Sequence, residues 1–314
     1  MRVVPFGTSS GRPTPRRNVS GLGVDLGARW ILVDCGEGTQ HQVMRSRLRG
    51  SKLSTILITH LHGDHALGLP GMLASLSMDD RTHPVTVVGP TGIGAWLDVM
   101  TATPLLELGF PLDLHELDPS TVSRTMDDEP PEVLRLDDGV RVGVLPLKHR
   151  VPCLGYRIEE PARPGRLDTD AAAGFGIDEG PILGRLQRGE TVEVGGRAVR
   201  PGDVIGPPRR GRRIAVMGDT VRCDNAVVLA RDADLLVHEA TYARADAGRA
   251  ARWMHSTSTD AAHVAAESAA AHLLLTHFSA RYDNPDRLLN EARTVFAATD
   301  LAVELAEIPV PHRD

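Results

Sequence analysis

Residues 54–65 read S-T-I-L-I-T-H-L-H-G-D-H, an apolar, β-branched run that ends abruptly in three imidazoles and a carboxylate. The run has the length and composition of a buried strand. In an extended turn after it, His60 and His62 point to the same side. Gly63 then lets the backbone fold back, so that Asp64 and His65 follow. So dense a cluster is poor core material. Neutral imidazole and carboxylate are donors that suit Zn²⁺, and two diverging pairs create two metal subsites.

One cluster supplies about half the donors that two ions need. The chain offers more in a repeated form, an apolar strand that ends in a potential ligand. V-R-V-G-V-L-P-L-K runs into His149, R-I-A-V-M-G into Asp219, and L-L-L-T into His277. A fourth run, D-L-L-V-H-E-A-T, carries His238 and Glu239. Strand ends on one side of a sheet are where α/β folds gather their sites. The expected metal set is therefore His60, His62 and His149 on one ion, Asp64, His65 and His277 on the other, with Asp219 bridging. Two ions about 3.5–4 Å apart are a standard device for phosphodiester hydrolysis, since they activate water and neutralise phosphoryl charge. Asp64 is placed both to ligate and to orient the water as base. The loop W-M-H-S-T-S-T offers His255 as proton donor, with Glu239 to hold it protonated. Spacing alone leaves a second reading open, with His255 a helix-capping loop residue and Glu239 a surface carboxylate.

Around these motifs, β-branched runs alternate with alanine-rich helical stretches over 38–48, 66–78, 92–101, 223–231, 257–271 and 285–297, the signature of a layered α/β fold. Only 4% of the 314 residues are aromatic against 41% apolar, so Ala, Val and Leu must carry the core. Residues 160–208 break the alternation, being rich in Gly and Pro. The strand pattern resumes after them, so they are expected to form an arm inserted into a single domain that spans 1–314. Cys35, Cys153 and Cys223 are odd in number and in no close pair, which excludes a disulfide framework and suits a reduced cytoplasm. Cys35 and Trp253 read as packing residues. No run approaches the roughly 18 apolar residues of a membrane span. The net charge is −6, yet residues 1–52 hold nine basic residues against three acidic, a net +6 that leaves −12 for the remainder. Of the 35 basic residues 33 are arginine, the better fork for phosphate.

Taken together, F-G-T-S-S-G-R-P-T-P-R-R-N-V-S-G, V-D-C-G-E-G-T-Q-H-Q, T-H-L-H-G-D-H, G-L-P-G, G-Y-R, G-D-T, H-E-A-T-Y, H-S-T and T-H-F-S-A-R-Y resemble, nearly end to end, the short-form ribonuclease Z family of the metallo-β-lactamase superfamily. Its members are tRNA 3′-end endonucleases. The resemblance implies a four-layer αββα sandwich with a protruding arm, two Zn²⁺ per chain, and a homodimer. In that dimer the arm of one subunit presents precursor tRNA to the other subunit's active site. The family's ligands fall on the seven positions above, its base on Asp64, and its proton donor and acidic partner on His255 and Glu239. Substrate contacts are expected at Gly180 and Pro181 in the arm and at Arg17, Ser279 and Arg281. The sequence departs from the family in the P-T-P-R-R-N loop, where Pro15 takes the place of a basic residue. The arm is also less lysine-rich than its relatives, with Arg163, Arg166, Arg185 and Arg188 set against Asp168, Asp170, Asp178 and Glu179. Two alternatives are a phosphodiesterase for small esters, which would have no use for the arm, and an idle RNA-binding protein, which would show a damaged ligand set.

Overall fold

Strands buried on both faces read as unbroken apolar runs, and those at a sheet edge alternate. The computed structural model, which describes residues 1–177 and 180–313, follows this rule. Trp30–Cys35, Cys153–Glu159 and Leu235–Glu239 are buried at every position, whereas the edge strand Leu112–Leu117 is largely exposed. The chain divides into two compact units, one of residues 1–136, 141–159 and 212–314, the other of 137–140 and 160–211.

The first unit holds two seven-stranded sheets among the described residues. In spatial order the first runs Ile308–Pro309, Arg2–Gly7, Gly21–Asp25, Trp30–Cys35, Leu53–Leu57, Val85–Pro90, Leu112–Leu117. The second runs Thr299–Leu301, Leu273–Thr276, Leu235–Glu239, Arg213–Val216, Cys153–Glu159, Arg141–Leu147, Glu132–Arg135. Helices Thr39–Arg45, Leu69–Met78 and Ile93–Thr101 cover the first sheet around Trp30, Leu32, Ile56 and Leu73. Asp224–Ala230, Ser258–Glu267 and Asp286–Arg293 cover the second, and there alanine dominates the contact, at Ala226, Ala230, Ala261, Ala262, Ala265 and Ala292. Small side chains bring these helices close to the sheet, which is how a chain poor in aromatics fills its core. The bare faces of the two sheets meet, with Leu22 and Val33 of one lining a cavity shared with Val216 and Val237 of the other. The order is helix, sheet, sheet, helix.

The sheets are joined where the histidine cluster begins. Leu154 N donates to Thr59 O at 2.9 Å, and the buried Tyr156 hydroxyl donates to Ile58 O at 2.8 Å. Two glycines let the histidine turn pack on the V-D-C-G-E-G loop. A Cβ on Gly36 would lie 2.3 Å from Asp64 O, and one on Gly68 only 2.0 Å from Gly36 O.

The second unit is more regular than its Gly and Pro content suggests. Helices Thr169–Gly174, Pro181–Gln187 and Pro201–Val204 and the hairpin Val192–Val194/Arg197–Val199 enclose Ala172, Ile177, Leu186, Val192, Val199 and Val204. Gly180 (φ 118°) and Pro181 open the second of these helices, proline filling a position whose N–H has no partner in a helix anyway. Asp178 and Glu179 of the expected arm lie outside the described residues.

Candidate active site

All seven expected ligands converge at one end of the sandwich. His60, His62, Asp64 and His65 come from the turn after Leu53–Leu57, while His149, Asp219 and His277 follow Arg141–Leu147, Arg213–Val216 and Leu273–Thr276. Donor atoms of His60, His62, His149 and Asp219 all lie within 4.8 Å of one another, as do those of Asp64, His65 and His277. His62 Nδ1 is 3.0 Å from His60 Nε2 and 3.3 Å from His149 Nε2, and His65 Nε2 is 3.1 Å from His277 Nε2. Asp219 faces both groups. Its Oδ2 is 3.6 Å from His60 Nε2, and its Oδ1 is 3.5 Å from His65 Nε2. A tetrahedral ion with ligand bonds of about 2.0–2.1 Å has ligand–ligand edges of roughly 3.3–3.4 Å, and these spacings fit it.

Hydrogen bonds behind the rings make the same point. Asp34 Oδ2 accepts from His65 Nδ1 at 2.7 Å, so His65 Nε2 presents a lone pair to the site. Asp34 Oδ2 also accepts a hydrogen bond from the Thr59 hydroxyl at 3.0 Å. That hydroxyl must then accept from His60 Nδ1, 3.0 Å away, which frees His60 Nε2. Glu239 repeats the device. Its Oε2 accepts from Thr241 Oγ1 at 2.6 Å, and Thr241 Oγ1 lies 3.0 Å from His277 Nδ1. His149 Nδ1 donates to Met254 O at 2.9 Å. Inward-facing lone pairs about 3 Å apart repel unless a cation sits between them. Such an outer layer of acceptors is what metal-bound histidines require. The donor set fits two divalent ions.

The charges agree. Burial and neighbouring imidazoles hold His60 well below the usual histidine range, and burial also lowers His62 and His149. His65 goes the other way: Asp219 and Asp34 outweigh burial and draw positive charge onto it. A divalent ion supplies that charge in place of a proton.

His255 belongs to the same cavity but not to the same class. Its Nδ1 is 3.0 Å from Glu239 Oε1 and 3.8 Å from Asp219 Oδ2. Burial opposes its charge, but Glu239 prevails and raises its pKa to about 9. Glu239 itself is buried, and His255 keeps it ionised despite that burial. Its Oε1 also accepts from Thr220 N at 2.8 Å. The pair is a held imidazolium and its counter-ion. Glu239 is 1% exposed and is therefore not a surface carboxylate.

These residues open into a cleft of about 400 Å³ lined by His62, Asp64, Asp219 and His255 together with Arg12, Arg150 and Glu37. Gly11 N donates to Asp64 Oδ2 at 2.6 Å and fixes it. Other expected substrate contacts lie around this cleft rather than in it. Arg17 turns back to donate to Ser279 O at 3.2 Å, and it lines a neighbouring groove with Arg16, His41, Arg45 and Glu304. Ser279 pairs with Ser10 in a short parallel ladder. Arg281 stands over the Tyr242 ring and 3.6 Å from Asp246. Trp253, read as a packing residue, is 39% exposed. Sequence reasoning missed Asp34, Thr241 and the backbone carbonyl of Met254. Asp34 carries one visible signal, a carboxylate inside an otherwise apolar strand.

A family model described as a beta-lactamase superfamily domain matches residues 29–168 and 188–278. The ribonuclease Z of Acaryochloris marina is 43% identical over 322 residues, covering 100% of this chain and 98% of that protein. The ribonuclease Z of Synechocystis sp. is also 43% identical, covering 100% of this chain and 95% of that protein. Among solved structures, the short form of human tRNase Z matches with a TM-score of 0.73 at 28% identity, covering 99% of this chain and 100% of that one.

Proposed function

The chain belongs to the ribonuclease Z family of the metallo-β-lactamase superfamily, and on that premise we propose that it is a zinc-dependent endoribonuclease that removes the 3′ trailer of precursor tRNA. The cut falls just 3′ of the discriminator, or of CCA where it is encoded. It leaves a 3′-hydroxyl on the tRNA and a 5′-phosphate on the trailer. The observation that carries this reading is one cleft holding a two-ion donor set and, beside it, the His255–Glu239 pair.

His60, His62 and His149 would hold one Zn²⁺ and Asp64, His65 and His277 the other, with Asp219 between them. Zinc bound there supplies Lewis acidity toward phosphoryl oxygens and lowers the pKa of water in the site. Asp64, steadied by the Gly11 amide, orients the attacking water and takes up its proton. His255 gives its proton to the departing 3′ oxygen, and Glu239 stabilises the imidazolium until it does. The guanidinium groups of Arg12 and Arg150 at the cleft edge draw in the phosphate backbone. Gly180 and Pro181 belong to the arm, which grips the tRNA. The working species is a cytoplasmic homodimer, in which each arm serves the partner subunit's site.

Incubation with a precursor tRNA of known trailer, mapping both new ends to the nucleotide, tests the cut. Chelator treatment should abolish cleavage and added Zn²⁺ restore it. Full activity of a metal-free sample, or ends of the opposite phosphate polarity, overturns the reading. Deletion of residues 165–205 should depress precursor cleavage strongly, and undiminished cleavage removes the arm's role.

A further inference from the structure

Beside the cleft, against Arg150 of its lining, stands a group that this chemistry does not use. Trp253 ends the helix Ala247–Trp253 and is 39% exposed. Of the other two tryptophans, Trp30 is 1% exposed and Trp96 is partly buried against the core of the first sheet. An indole left in water forgoes the burial that usually places it inside. Met254, in the left-handed region (φ 54°), closes the helix and separates this exposed ring from His255, whose side chain is only 10% exposed. The Met254 carbonyl is tied to His149, so the turn that presents Trp253 is fixed to the metal wall. Two guanidinium groups stand over the ring, Arg150 at 4.8 Å and Arg252 at 5.5 Å from its centroid. Both are exposed, and among the described residues neither has a carboxylate partner. Arg150 also lines the cleft beside His62 and His255. An aromatic face beside unpaired guanidinium is what proteins use to hold an unstacked base together with its phosphate.

We infer that Trp253 and Arg150 form a base-stacking site for the nucleotide immediately 5′ of the scissile phosphate, the one whose 3′ oxygen leaves. The inference rests on the endoribonuclease reading above. The side follows from His255: the ribose that receives its proton lies against it, and Trp253 is two residues away across the Met254 turn. The base of that nucleotide displaces Arg150 from the indole face, and the freed guanidinium turns to the adjoining phosphate. Stacking tolerates any base, so the site positions the RNA without reading its sequence.

The test compares wild type, Trp253→Ala and Trp253→Phe on one precursor tRNA, intact or with a single abasic nucleotide just 5′ or just 3′ of the cut. Trp253→Ala should lower kcat/KM on the order of ten-fold or more, and Trp253→Phe should retain most of it. The 5′ abasic substrate should cost the wild type a similar factor but cost Trp253→Ala little more. The 3′ abasic substrate should leave the penalty of Trp253→Ala in full. Wild-type rates for Trp253→Ala, or two penalties that multiply at the 5′ position, overturn the stacking site while leaving the endonuclease reading intact. A wild type that cuts no precursor removes both. A readout free of variants guards against a folding defect. Emission from the exposed tryptophan of the wild type should be quenched by intact precursor and far less by the 5′ abasic one, and equal quenching by both overturns the proposal.

Discussion

At the floor of the cleft His60, His65, Asp219 and Glu239 are each at most 3% exposed, and the ring nitrogens turned away from the ions have fixed acceptors. Beside the cleft Arg12 and Arg150 stand in solvent with no carboxylate partner among the described residues, and Arg150 and Arg252 stand over the ring of Trp253. The floor uses its polar groups on itself, since an unsatisfied buried donor or acceptor is costly and a misplaced ligand is useless. The rim leaves its groups unspent because their partner arrives with the substrate. The difference predicts two kinds of variant. Floor substitutions should reduce kcat or metal content, and rim substitutions should act on KM and on salt dependence.

The largest effect is expected at Asp64, proposed as both ligand and base. Asp64→Ala should cost several orders of magnitude in kcat on precursor tRNA, with the far-UV circular dichroism of the wild type retained. A near-normal rate would remove Asp64 from the chemistry. Next comes Glu239→Gln, which deprives His255 of its counter-ion and should lower kcat about 10²–10³-fold with KM little changed. If instead KM rose and kcat held, Glu239 would belong with the substrate-binding rim.

Asp34→Asn is a smaller but sharper test of how the floor is organised. One carboxylate fixes the tautomers of His65 directly and of His60 through Thr59, so it serves both groups of donors. Loss of such an outer acceptor typically costs about 10–100-fold in metal affinity. Titration of the metal-free variant with Zn²⁺ should show both sites weakened. Weakening of one site alone would mean that the Thr59 relay carries nothing.

How much of this was legible in the sequence follows the same division. The floor's donors could be read because four cluster directly after one apolar strand and three more each stand alone after another. Asp34 also lies in such a strand, but its partners are 25 and 31 positions away, and its positive φ (59°) cannot be seen in a pattern. The strand Gly21–Asp25 shows no apolar run because two of its five residues are glycine. Gly23 is there for space, as a Cβ would come within 2.6 Å of Leu48. The second unit read as irregular because its short helices and hairpin each contribute only one or two residues to the small core, and no period emerges. Trp253 packs against Arg150 and Arg252, but its 39% exposure is set by the Met254 turn, which no pattern shows.

The mildest prediction, and the one that bears most directly on the rim, concerns Arg12. It lines the same cleft as Arg150, in the basic N-terminal stretch that the net charge of −6 conceals. Arg12→Ala should raise KM for precursor tRNA a few-fold and leave kcat and zinc content unchanged. If its guanidinium meets one phosphate of a single strand, the slope of log KM against log salt should fall by about 0.7. A fall in kcat with an unaltered slope would place Arg12 with the floor, acting on Asp64 through the neighbouring Gly11 amide. The two walls of the cleft would then no longer divide into chemistry and capture.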